Sequence, residues 1–196
     1  MSVQSPCFNL FVDINDVLYC SQSNANQVVA GSLNNISNFT TVVAGTGCAG
    51  STPYMLKSPH GVFVDTNLDL YVVDNGNDRI QLFKSGQFGG ITVVGSGSSI
   101  PTITLNAPTD VILDADKYLF IVDYFNYRIV GSGPNGFRCL VGCTGSTGLA
   151  SNQLSNPLSL SFDSYGNIFV TDYGNSRVQK FILLNNTLSK YSRIVK

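Results

Sequence analysis

The chain of 196 residues has no tryptophan, a single histidine (His60) and few charges. Charged residues make up 12%, about half of the roughly 25% usual in globular proteins. Eleven Lys+Arg face 12 Asp+Glu, for a net charge of −1. That balance leaves no basic footprint for nucleic acid and no polybasic patch for an anionic membrane. No apolar run approaches the roughly 20 residues that cross a bilayer, so membrane insertion by this stretch is not expected. The opening Met1-Ser2-Val3-Gln4-Ser5-Pro6 lacks the basic and apolar regions of a signal peptide. Helix-period segments are missing as well, which excludes a helical bundle.

What the chain has is repetition. Leu70-Tyr71-Val72-Val73-Asp74-Asn75-Gly76-Asn77-Asp78-Arg79-Ile80 returns as residues 119–129 and again as residues 168–178. A worn copy stands at residues 18–28. Four aspartates, Asp13, Asp65, Asp114 and Asp163, mark the repeat at steps of 52, 49 and 49 residues. Nine residues after the last three come Asp74, Asp123 and Asp172. Twelve residues on are Asn77, Asn126 and Asn175, and fourteen on are Arg79, Arg128 and Arg177. Pro59, Pro108 and Pro157 precede each marker by six. A period near 50 is that of blade-sized β units.

Each unit divides into four short strands. The first runs up to the marker aspartate, and a polar turn leads to the β-rich second strand. An Asn/Gly turn then makes a hairpin with a third strand opening on Arg-Ile or Arg-Val. The fourth ends at glycine, as in Thr92-Val93-Val94-Gly95. Nine Tyr and twelve Phe supply bulk suited to pleated, half-buried surfaces. The expected fold is all-β, with blades at about 5–52, 53–101, 102–151 and 152–196 in a single domain.

This pattern resembles the NHL-repeat β-propeller family, whose four-stranded blades stand around an axis. The resemblance covers nearly the whole chain. It implies that Asp74/Arg79, Asp123/Arg128 and Asp172/Arg177 are internal fasteners of their blades. The first copy departs from this, with Gln22 and Gln27 in those places, and is expected to be looser. The family commonly closes six blades, and four are present. A four-blade ring, an open arc that needs a partner for its edges, and a segment of a longer propeller all remain open. Further blades or a second copy would complete the last two.

For chemistry, the sequence offers little that converges. The Asp/Arg pairs recur at one offset, whereas an active site is normally unique, so a structural role is expected. Asp65-Thr66-Asn67-Leu68-Asp69 opens like a calcium loop but lacks its glycine and closing glutamate. It reads better as a turn making local backbone bonds. His60 follows Pro59 at the start of a strand, and one histidine is short of a zinc site. Cys139 and Cys143 would lie about 13 Å apart on an extended strand, too far to bond unless glycine bends the chain. Unpaired or separately paired thiols are therefore expected there. Cys48 reads as exposed and Cys20 as core. No catalytic residue, metal or cofactor is expected.

The most individual feature is the turn Tyr124-Phe125-Asn126-Tyr127, since rigid amphipathic rings on loops are typical binding anchors. With Tyr173 and His60 it forms the candidate binding rim for a protein, peptide or glycan. An alternative follows from resemblance to the peptide-amidating lyase, a related propeller that holds its metal with histidines. With one histidine here, its ligands would have to come from further blades. RNA binding, known among NHL proteins with basic faces, fits the charge poorly. Three sequons, at Asn35, Asn38 and Asn185, give an extracellular lean that requires an upstream signal.

Overall fold

A computed structural model describes residues 5–34, 41–183 and 194–195. The possible glycosylation sites Asn35, Asn38 and Asn185 fall outside the described residues. The described chain is all-β: four four-stranded antiparallel sheets, each in sequential order. The first holds β1 (Asn9–Val12), β2 (Val17–Gln22), β3 (Gln27–Ser32) and β4 (Thr41–Ala44). The second holds β5 (Pro59–Val64), β6 (Leu70–Asp74), β7 (Arg79–Phe83) and β8 (Ile91–Gly95). The third holds β9 (Pro108–Leu113), β10 (Leu119–Asp123), β11 (Arg128–Gly131) and β12 (Arg138–Val141). The fourth holds β13 (Pro157–Phe162), β14 (Ile168–Asp172), β15 (Arg177–Leu183) and β16 (Ile194–Val195). The sheets are blades of the propeller type, and they fall into two compact units, Met1–Pro108 and Thr109–Lys196.

The marker aspartates stand one residue past their strands and shape the first turn. Asp65 Oδ1 accepts the N–H groups of Asn67 and Asp69 at 2.8 and 3.0 Å. Asp13, Asp114 and Asp163 repeat this with the residues two and four ahead. A carboxylate that satisfies two turn N–H groups explains a period set by aspartate. Each proline begins its strand instead of preceding it. Pro59 pairs with Asp74, and the register shifts between Pro59 and Val62. Proline donates no N–H to the ladder, so it suits an end or a bulge.

Within each unit two sheets pack face to face, and the contacts repeat in register. In the first unit, Phe11, Tyr19 and Val28 of one blade meet Val62, Val64, Leu70, Val72 and Phe83 of the next. The Phe11 and Phe63 rings lie 4.9 Å apart. In the second unit, Ile112, Phe120 and Ile129 meet Leu160, Phe162, Ile168, Val170 and Phe181. Counted from the marker aspartate, the forward face uses positions −2, +6 and +15. The backward face uses −3, −1, +5, +7 and +18. The alternation follows from side chains pointing to opposite faces of a strand. Each side chain buried in this way contributes about 1.5–3 kcal/mol.

Candidate functional site

The site is built on hairpins between the second and third strands. β6 ends at Asp74, and a 3-10 turn spans Asn75–Asn77. Asp78 then takes the left-handed conformation at φ 53°, and Arg79 pairs back across to Asp74. The same turn holds Ser23–Ala25, Tyr124–Asn126 and Tyr173–Asn175. Its left-handed residue is Asn26, Tyr127 or Ser176.

Buried carboxylates pin these turns. Asp74 Oδ2 accepts Arg79 Nε at 2.7 Å and Asn77 Nδ2 at 2.8 Å. Its Oδ1 accepts the Lys57 N–H at 2.7 Å. The other guanidinium nitrogens of Arg79 donate to the carbonyls of Ser51, Thr52 and Met55. Asp172 and Arg177 repeat the arrangement, with Arg177 reaching the carbonyls of Leu149, Ala150 and Gln153. Asp123 accepts Arg128 Nε at 2.8 Å and Asn126 Nδ2 at 2.9 Å. In the first blade Gln27 Nε2 donates to Gln22 Oε1 at 2.7 Å, a neutral bond in place of the ion pair. Arg79 and Arg177 each spend one donor on aspartate and three on backbone carbonyls, as expected of blade fasteners.

The same position is tuned differently in two blades. Burial pushes the Asp74 carboxyl above its usual value, against the opposing pull of Asn77, Lys57 and Arg79. Burial also lifts Asp172, yet the bonds from Asn175, Ser155, Arg177 and Gln179 together carry it below the usual value. Arg79 is 6% exposed and Arg177 27%, so the second fastener works in a wetter setting.

These pinned turns present the aromatic rim. Tyr124 and Phe125 pack edge to face at 4.8 Å. Phe125 is exposed, Tyr124 and Tyr127 are half-buried, and Tyr173 projects from the matching turn of the following blade at 63% exposure. All four belong to the second unit. His60 lies within β5 in the first unit, not on a turn. Its ring stacks on Phe8 at 3.7 Å and 12°, and burial lowers its pKa to about 4.

Other features were not anticipated from the sequence. Leu56, Leu105 and Leu154, each nine residues before a marker aspartate, are buried, Leu56 and Leu154 within the cores of their units. Asp110 and Ser159, both four before their markers, bridge the third and fourth sheets. The common offsets were the available signal. Cys139 and Cys143 are joined by a disulfide with Cα atoms 5.7 Å apart, contrary to the expectation for an extended strand. Gly142 turns at φ 71° and folds Cys143 back, a conformation that glycine adopts freely. Cys7 bonds Cys20, leaving Cys48 free and exposed.

In the first unit, a cleft of about 300 Å³ is walled by Tyr19, Val42, Val43, Leu68, Phe83 and Phe88, among others. The Tyr19 hydroxyl donates to Asp13 Oδ2 at 3.2 Å. Burial, reinforced by the Asp13 charge, pushes the tyrosine up to about 12. Among the described residues, no group of three or more His, Cys, Asp or Glu is placed to hold a metal ion.

The NHL repeat model matches residues 56–83 and 154–181. No curated protein sequence matches the chain. Among solved structures, a streptogramin B lyase is similar at 12% identity and TM-score 0.61, over 95% of this chain and 58% of its own. A gluconolactonase from Xanthomonas campestris is similar at 14% and 0.66, over 93% and 57%. A chain of the nidogen/laminin complex is similar at 17% and 0.61, over 89% and 64%. The chain thus spans less than two thirds of these proteins, and at such identities the likeness shows the fold alone. Each matched stretch falls on a four-stranded blade with an Asp–Arg fastener, so two of the four blades carry an NHL repeat, and the fold is of the β-propeller class.

Proposed function

We propose that the chain is a non-catalytic binding module whose aromatic rim, Tyr124, Phe125, Tyr127 and Tyr173, receives a protein, peptide or glycan. The observation that supports this is the exposure of Phe125 and Tyr173 on turns held by ion pairs to buried aspartates. Large rings on a rigid turn lose little entropy on binding, which makes them good anchors. The solved relatives include a partner in the nidogen/laminin complex, consistent with propeller blades serving recognition.

The test is a screen of displayed peptides and an oligosaccharide array, with wild type beside the double variant Phe125→Ser, Tyr173→Ser. A ligand of the rim should lose at least about tenfold in affinity, as two truncated anchors imply. Ligands bound equally by both proteins would move the site elsewhere.

The lyase and the gluconolactonase among the similar structures favour a second reading, a metal-dependent lyase or hydrolase with ligands supplied by further blades. Turnover of lactones or amidation intermediates on adding divalent metal would establish it in place of the first.

A further inference from the structure

Around the cleft of about 300 Å³ in the first unit, the repeat departs from its own pattern in three places. The third residue after each marker aspartate takes the left-handed conformation: Asp16 at φ 57°, Leu68 at 63°, Lys117 at 65° and Gly166 at 81°. Leu68 is the apolar member of this set. A bulky apolar side chain is strained there and contributes no hydrogen bond to the turn. It lies half-buried against the core of its unit and lines the cleft. Strain that the turn does not need points to a use for the side chain itself.

One wall of the cleft is the turn between β7 and β8, and it is pinned. Buried Asp69 accepts Lys84 Nζ at 2.7 Å and the Ser85 N–H at 3.1 Å. At the same offset the other blades carry Val17, Tyr118 and Asn167. The third departure is at +6, where Phe120 of the second unit is fully buried. Tyr19, its counterpart, is half-buried and lines the cleft. A preformed hollow that is mostly apolar, with a few placed polar groups, is the usual form of a small-molecule site.

We propose that this cleft binds a small uncharged molecule of one or two rings carrying a single hydrogen-bond donor. Its volume is at the low end for small-molecule sites, which sets the size. Val42, Val43, Leu68, Phe83 and Phe88 meet the apolar body. The Tyr19 hydroxyl donates to Asp13, so its oxygen is left to accept, and an O–H or N–H of the ligand supplies the match. Lys84 is the charged residue of the lining, and Asp69 neutralises its ammonium at 2.7 Å. A charged ligand would therefore lose water without gaining a counterion. None of these residues belongs to the aromatic rim.

The test is a titration of the purified chain followed by amide NMR, with indole, 1-methylindole and indole-3-carboxylate as probes. Indole should bind saturably, with a dissociation constant of about 1 mM or below, and shift the amides of Tyr19, Leu68, Ser85 and Gly86. The methylated probe lacks the donor and the carboxylate adds a charge, so each should bind at least about fivefold more weakly. Tyr19→Phe should bring indole down to the level of its methylated analogue. Leu68→Asn tolerates the left-handed conformation and should weaken indole at least about tenfold, with circular dichroism checking that it folds. Should it not fold, Tyr19→Phe still decides. Shifts that fail to saturate by about 10 mM, tenfold above the expected constant, or that map to other residues overturn the proposal. So does equal binding of indole and either analogue by wild type, or an unchanged preference in Tyr19→Phe.

Discussion

The Ser159 hydroxyl donates to Asp110 Oδ2 at 2.7 Å, joining the third sheet to the fourth across residues 49 apart in sequence. The same oxygen accepts the Leu160 N–H at 3.1 Å, and Asp110 Oδ1 accepts the N–H of Val111 at 3.0 Å. Burial raises this carboxyl above its usual value, and the three bonds oppose that rise.

Ser159→Ala should therefore destabilise the chain by about 1–3 kcal/mol, the range for leaving a buried polar group without its partner. It should also raise the Asp110 pKa further. A carboxyl with a raised native pKa binds its proton more tightly folded than unfolded. Its contribution to stability is full below the ordinary carboxylate range and is lost as pH rises through the native value. Urea unfolding across pH 3–8 should show that loss extending to higher pH in Ser159→Ala. In Asp110→Asn, which does not titrate, the loss should be missing. Identical pH profiles for the three proteins would refute the assignment.

The fasteners should differ in strength. Arg79→Ala leaves the Asp74 carboxylate buried without its cation and should cost about 3–5 kcal/mol. Arg177→Ala should cost less, because the Arg177 side chain is 27% exposed against 6% for Arg79 and water replaces part of what it supplied. Guanidinium unfolding of the two variants checks the order, and a larger loss at Arg177 would contradict it.

His60 is the chain's one histidine, so a single imidazole resonance reports its titration. Its midpoint should lie at about 4, well below the ordinary value near 6.5. The unfolded chain takes up this proton first as pH falls. The group's contribution is therefore full above about 6.5 and is lost between there and about 4. His60→Phe, which retains a ring against Phe8, should flatten the stability curve over that interval. A midpoint near the ordinary value would mean that the stacked, half-buried geometry does not persist in solution.

Alkylation of the unfolded, unreduced protein should modify one of the five cysteines, Cys48, and all five after reduction. Peptide mapping should place the two bridges at Cys7–Cys20 and Cys139–Cys143. Gly142→Ala should hinder the second, since φ 71° is costly for a residue with a side chain. Three modified thiols in wild type, with Cys139 and Cys143 among them, would remove that bridge.

Much of the blade was readable because its determinants are local. Asp74 and Arg79 are five residues apart on one hairpin, so their meeting depends on a single turn. Asp65 caps a turn made by the residues directly after it. The Asp–Asn–Arg spacing therefore determined the hairpins, and the alternation of apolar residues determined which side of each strand is buried. Cys139 and Cys143 show where local reading fails: their separation depends on the sign of one glycine φ, which spacing does not encode.

The remaining features belong to the tertiary structure. Leu10 and Val62 hold the same apolar position in the repeat, and nothing in either residue says that one is open to solvent and the other covered. Asp110 and Ser159 are each unremarkable polar residues at the same offset until two sheets bring them within hydrogen-bonding distance. Burial and cross-blade bonds depend on what stands opposite a face. A repeated pattern describes the face alone, so the neighbour had to come from the fold.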